Sequence, residues 1–126
     1  MNILRVKVKN FTNKSGELVS IDNKKIKLKE IKRIFFIKQK IKTIRGNHAH
    51  KKCTQVLFQL KGKTELNILT KRNMKKIIMD EKKSYAFVIK PKKWISLKSL
   101  TKTSVTAVLC DKYFEKKDYI YNFDEL

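Results

Sequence analysis

Thr54-Gln55-Val56-Leu57-Phe58-Gln59-Leu60 and Thr64-Glu65-Leu66-Asn67-Ile68-Leu69-Thr70, joined by Lys61-Gly62-Lys63, decide the fold class. Both runs are short, rich in apolar residues and free of helical periodicity. Their apolar/polar alternation suits half-buried strands. The glycine between them reads as a tight connection, so the two runs are expected to form a hairpin. Downstream, Met74 to Met79, Tyr85 to Ile89, Ile95 to Leu97 and Ser104 to Cys110 continue the pattern. Turn-forming segments at Lys71-Arg72-Asn73, Asp80-Glu81-Lys82-Lys83 and Pro91-Lys92-Lys93 separate them. Upstream, Leu4, Val6 and Val8 alternate with cations, Leu18 to Ile21 is apolar, and Arg33 to Ile37 reads as a buried strand. No helical stripe lasts beyond about two turns, and only Tyr113 to Asp118 reads as a helical turn near the C-terminus. The expectation is one all-β domain over residues 1–126, with about nine strands in a sandwich or small β-barrel, jelly roll first.

Composition narrows the function classes. In 126 residues, 32 Lys+Arg against 11 Asp+Glu leave a net charge of +21, which invites a nucleic-acid reading. Yet 28 of those cations are Lys. Only Arg5, Arg33, Arg45 and Arg72 are the residue that base readout and bidentate phosphate contacts favour. The 14 Ile and 8 Asn, beside 3 Gly, 3 Ala and 1 Pro, bear the imprint of A/T-rich codons, so the lysines read as a solvated surface. Phe35, Phe36 and Phe58 are expected inward by alternation, which removes the exposed aromatics on which a basic nucleic-acid-binding barrel stacks bases. No apolar stretch approaches the about 20 residues of a membrane span. The alternating start, Met1 to Lys7, lacks the apolar centre of a secretory signal. Cys53 and Cys110 are too few for a disulfide scaffold and are expected to fill core space. A cytoplasmic location is the resulting expectation.

Both histidines lie in Gly46-Asn47-His48-Ala49-His50. Residues two apart on a strand share a face, so His48 and His50 are expected to project together, with Arg45 just before them. The spacing of Gly46, His48, His50, Gln55 and Gly62 resembles the first motif of the cupin superfamily. Metal-binding cupins carry Glu where Gln55 stands and a later histidine near the place of Ser96. Two imidazoles and one neutral amide make a poor ligand set for Zn²⁺ or Fe²⁺, so no metal is expected.

The resemblance sharpens over Arg33 to Ile37, Arg45-Gly46-Asn47-His48-Ala49-His50-Lys51-Lys52, Gln55, Pro91 to Trp94 and the tail Asp111 to Ile120. Together these are similar to the sugar-nucleotide 3,4-ketoisomerases, from about Leu28 to the C-terminus. That likeness implies a homodimeric jelly roll with no cofactor and with His48 and His50 as the catalytic pair. It implies a dTDP-linked 4-keto-6-deoxyhexose, dTDP-4-keto-6-deoxyglucose, as substrate. The product would be a dTDP-3-keto-6-deoxyhexose on the way to 3-amino sugars of surface glycans. One departure stands out: the family often has a tyrosine in the run occupied here by Phe35-Phe36, so that hydroxyl is absent.

Moving a ketone from C4 to C3 needs a base for the C3 proton, a proton returned to C4, and a proton passed between O3 and O4. Imidazole, with an ordinary pKa of about 6.5, suits such work near neutrality. His48 is expected as the carbon base. Arg45 and Arg33 are candidates for the diphosphate, Gln55 for a sugar hydroxyl, and Trp94 and Lys52 for further substrate contacts. The competing readings are a 3,5-epimerase-type enzyme, a metal-dependent cupin and the nucleic-acid-binding barrel.

Overall fold

The computed structural model describes residues 1–126 and contains twelve strands. They are β1 (Leu4–Lys7), β2 (Lys9–Asn13), β3 (Gly16–Ser20), β4 (Arg33–Lys40), β5 (Ile44–His50) and β6 (Gln55–Lys61), followed by β7 (Lys63–Leu69), β8 (Met74–Asp80), β9 (Tyr85–Ile89), β10 (Trp94–Ser99), β11 (Thr103–Cys110) and β12 (Tyr119–Ile120). One antiparallel sheet runs β1-β9-β6-β11-β4, a second runs β12-β5-β10-β7-β8, and β2-β3 form a separate ribbon. This is the two-sheet, all-β jelly-roll arrangement of cupins. The count exceeds the expected nine by three: β5 enters the sequence reading only through its histidine pair, and the solvent-exposed ribbon strand β2 and two-residue β12 carry too little apolar alternation to be read.

The inner faces meet in one core, where Leu57, Phe87 and Val108 of the first sheet pack against Leu66, Ile68, Ile95 and Leu97 of the second. The first sheet is covered on its outer face too. There Val56, Phe58, Ala86 and Val88 pack with Val6, Val8, Ile26 and Leu28. Ile26 ends a one-turn helix, α1 (Asn23–Ile26), whose N-cap Asp22 accepts a hydrogen bond from Lys24 N at 2.9 Å. The tail has two single turns of 3₁₀ helix, Lys116–Asp118 and Phe123–Glu125, the first inside the segment expected to turn. No helix is long and apolar enough to cross a membrane.

The two runs around Gly62 are strands, but they do not form a hairpin. β6 pairs with β9 and β11, whereas β7 pairs with β8 and β10. Gly62 is the corner where the chain crosses from one sheet to the other. Its φ is +73°, and a Cβ there would collide with Thr101 Oγ1 and the Thr103 carbonyl, so glycine is required. Core burial explains the crossing, because Leu57 and Leu66 must face each other across the sandwich. The hairpin falls one strand later, where β7 and β8 are closed by Thr70 and Asn73. A second correction concerns β4. Its residues alternate between faces, so Phe35 packs against the inner core while Phe36 points to the outer face, which nothing covers over β4, and is 57% exposed, contrary to the burial expected for both; Phe58 is buried.

Candidate active site

A β-bulge sets the site. Gly46 pairs with Ser96 and His48 with Ile95, leaving Asn47 as an extra residue on β5. Gly46 and Asn47 both take positive φ, +91° and +57°, as a glycine-led bulge requires. An added Cβ at Gly46 would lie 3.0 Å from the Ile95 carbonyl. The consequence is chemical. On a regular strand Arg45 and His48, three apart, would face opposite ways. The inserted residue places both on the inner face, opposite Leu97 and Ile95.

That face closes a cavity of about 500 Å³ between the sheets. Arg33 and Phe35 line it from β4, Arg45 and His48 from β5, Gln55 and Leu57 from β6, and Phe114, Tyr119 and Tyr121 from the tail. Neither Arg33 nor Arg45 takes part in an ion pair. Arg33 lies over the rings of Phe35 (4.4 Å) and Phe114 (5.1 Å) and donates from Nη1 to the Tyr119 hydroxyl at 3.1 Å. Two uncompensated guanidiniums facing an open space favour an anionic guest. A second hollow of about 430 Å³ is lined by Arg5, Lys75, Lys76 and Tyr85 but holds neither histidine.

His48 and His50 do project together, edge to face with ring centroids 5.1 Å apart. Burial holds the His48 imidazole below its usual range; the Gly46 backbone pulls it up and the neighbouring His50 adds to the lowering. His50 lies deeper, behind His48 and Tyr119. Its Nδ1 donates to Asp118 Oδ2 at 2.8 Å, while its Nε2 is buried with no partner. Asp118 also accepts from the Lys52 amide at 2.8 Å. Burial by itself would raise the Asp118 carboxyl, but hydrogen bonds from His50 and from the Lys52 and Cys53 amides hold it below the ordinary carboxylate range.

Of the seven residues singled out in the sequence, Arg33, Arg45, His48 and Gln55 meet at the cavity, with His50 behind them. Lys52 and Trp94 lie elsewhere. β5 ends at His50, so Lys52 follows no strand alternation, and its side chain borders Lys112, Glu115 and Asp118 on the surface. Trp94 alternates with inward-facing Ile95 and packs edge-on against Phe123 at 5.6 Å. Ser96, near the later metal-ligand position of cupins, pairs with Gly46 and does not line the cavity. The cavity wall therefore presents one imidazole and one amide, too few donors for a resident Zn²⁺ or Fe²⁺. His50, Cys53 and Asp118 have donor atoms within 4.8 Å of one another, but His50 and Asp118 are already bonded to each other there.

Asp118, Tyr119, Phe114 and Tyr121 were not assigned to the site from sequence. A signal existed: three of the four tyrosines (Tyr113, Tyr119, Tyr121) cluster in nine residues of the tail.

A jelly roll with a pair of strand histidines, a glycine-led bulge and a cationic interior cavity defines a cupin. More narrowly, the chain belongs to the family described as "FdtA: WxcM-like, C-terminal", whose profile matches residues 1–126. It is 31% identical over 120 residues to the TDP-4-oxo-6-deoxy-alpha-D-glucose-3,4-oxoisomerase of Aneurinibacillus thermoaerophilus, covering 94% of this chain and 86% of that protein. The sugar 3,4-ketoisomerase QdtA from Thermoanaerobacterium thermosaccharolyticum, solved with TDP, superposes with a TM-score of 0.88 at 31% identity, covering 98% of this chain and 90% of that one. A mutant of that enzyme was solved with TDP-4-keto-6-deoxyglucose. These relatives make the chain an isomerase of the 3,4-ketoisomerase class. A dTDP-4-dehydrorhamnose 3,5-epimerase from Elizabethkingia anophelis NUHP1, 15% identical with a TM-score of 0.77 over 94% of this chain and 73% of that one, shares the fold alone.

Proposed function

We propose that the chain converts dTDP-4-keto-6-deoxyglucose to a dTDP-3-keto-6-deoxyhexose through a 3,4-enediol, with His48 and His50 as proton carriers. The observation that carries this reading is the histidine pair itself, beside a cavity whose cations have no protein counter-ion. Arg33 and Arg45 take the diphosphate, each presenting a fork of donors to its oxygens. The Gln55 amide bonds a sugar hydroxyl. His48 faces the cavity and is kept neutral by burial, so it is ready to accept the C3 proton, which the adjacent carbonyl acidifies. In His50 the Asp118 carboxylate fixes the ring, leaving Nε2 to exchange a proton with the substrate and to answer the return at C4. Lys52 and Trp94 are left out of the binding set. The setting is the cytoplasm, the working assembly a homodimer, and the product a precursor of 3-amino sugars for surface glycans.

Proton NMR of dTDP-4-keto-6-deoxyglucose incubated with the protein tests the reading. Loss of the H3 signal and growth of a 3-keto product are expected; substrate that persists unchanged overturns it. His48→Asn and His50→Asn should each lower turnover by about 100-fold or more, and unchanged turnover in both would remove the histidines from the mechanism.

A further inference from the structure

Histidines can carry the carbon protons, but the reaction must also move a proton between two sugar oxygens. This requirement rests on the ketoisomerase reading above. The β4 run Phe35-Phe36 offers no hydroxyl for it. Tyr119, on the opposite side of the cavity, does. Tyr119 pairs with His50 across β5 and β12, which sets both side chains on the same face. Its ring lies 4.4 Å from that of His50 and 4.9 Å from that of His48. Its oxygen accepts the Arg33 guanidinium at 3.1 Å, and Arg33 is itself held between Phe35 and Phe114. Tyr121, the other hydroxyl on the wall, is 64% exposed and lies at the rim.

We propose that the Tyr119 hydroxyl is the acid–base group that carries the proton from O3 to O4. In the first half of the reaction the C3–H bond breaks and its proton goes to imidazole. The electron pair forms the C3–C4 double bond, the carbonyl pair moves onto O4, and Tyr119 gives O4 its proton. The result is an enediol, an imidazolium and a tyrosinate whose charge faces the Arg33 cation. In the second half the tyrosinate removes the O3 proton, the O3 pair forms the C3 carbonyl, and the double-bond pair takes a proton at C4 from imidazolium. Tyr119 returns to its starting state and the histidine pair holds as many protons as before, so no oxidant or further reactant is needed.

The experiment compares the wild-type chain with Tyr119→Phe on dTDP-4-keto-6-deoxyglucose in D₂O, following deuterium entry at C3 of unreacted substrate alongside product formation. Phe keeps the ring contacts and loses only the oxygen. The variant should lose about 100-fold in kcat, with KM changed by less than about threefold. The ratio of C3 exchange to turnover should rise about tenfold or more, because the carbon base still works while the oxygen transfer fails. That ratio does not depend on how much of the sample is folded. Wild-type turnover by the variant would overturn the proposal. So would exchange and turnover that fall together with an unchanged ratio, which is the signature of a structural defect. A wild-type chain that leaves the substrate untouched overturns the reaction itself, and this assignment with it.

Discussion

Truncating Asp118 is the most direct probe of how the site is held. Its carboxylate receives the His50 Nδ1–H and the Lys52 amide, each at 2.8 Å, in a place where both side chains are largely shielded. A hydrogen bond to a charged acceptor contributes about 1.5–3 kcal/mol, and a buried donor left bare costs a comparable amount. Asp118→Ala removes both bonds and strands the imidazole N–H, so a loss of about 3 kcal/mol is expected, or about 10 °C in Tm for a domain of this size. Asp118→Asn retains volume and one acceptor and should lose about half as much. Freed from its tether, the His50 ring reorients, and kcat should fall about 100-fold in the Ala variant. The pH dependence has a definite sign. The Asp118 carboxyl sits below its ordinary value of 3.8, so its contribution is present above that pH and disappears as pH falls through the lower, folded value. Thermal melts of wild type and Asp118→Asn should therefore converge in strong acid and separate near neutrality. If Asp118→Ala melts within about 1 °C of wild type and retains its kcat, the tether does not do what the geometry implies.

Three further outcomes follow from the geometry. Gly62→Ala should destabilise the fold by about 3 kcal/mol, read as a lower urea midpoint, because the new Cβ collides with Thr101 and the Thr103 carbonyl at positive φ. The acid limb of kcat/KM should lie below 6.5, since burial keeps His48 neutral; a group lowered in this way makes stability rise with pH between its folded value and 6.5, and an inflection at or above 6.5 would contradict the placement. Arg45→Ala should raise KM for the sugar nucleotide about 10- to 100-fold with kcat largely kept, whereas Arg33→Ala should lower kcat as well because Tyr119 loses its partner.

Much of this is legible in the amino-acid sequence. Alternation in Thr64 to Leu69 and Ser104 to Cys110 announced strands, because one face of each must be apolar. The two-residue spacing of His48 and His50 announced a shared face, and their rings do meet. The scarcity of Arg among so many Lys pointed to Arg33 and Arg45, which the fold leaves unpaired at the cavity. Trp94 was harder, since a lone aromatic at a strand end carries no signal for which face it joins. Neighbours on a strand face opposite ways, so only one of Phe35 and Phe36 can point inward; that the outer one is exposed is a tertiary fact, because the cover over the first sheet packs on β6 and β9 and leaves β4 bare.

What remained hidden depends on contacts distant along the chain. Period-two patterning says that a residue pair faces one way, but not which sheet receives the strand, so Gly62 could be read as a hairpin turn when it is a corner between sheets. The bulge at Gly46-Asn47 shifts Arg45 into phase with His48, and it exists only against the partner strand β10. Asp118 and Tyr119 reach His50 from 68 and 69 positions away, through the short β5–β12 pairing that no local pattern encodes. The sequence alone determined that the chain is a β protein with a histidine pair on one face. Tertiary structure decided which carboxylate, hydroxyl and guanidinium surround that pair, because strand alternation is a local property and the closing of two sheets over one core is not.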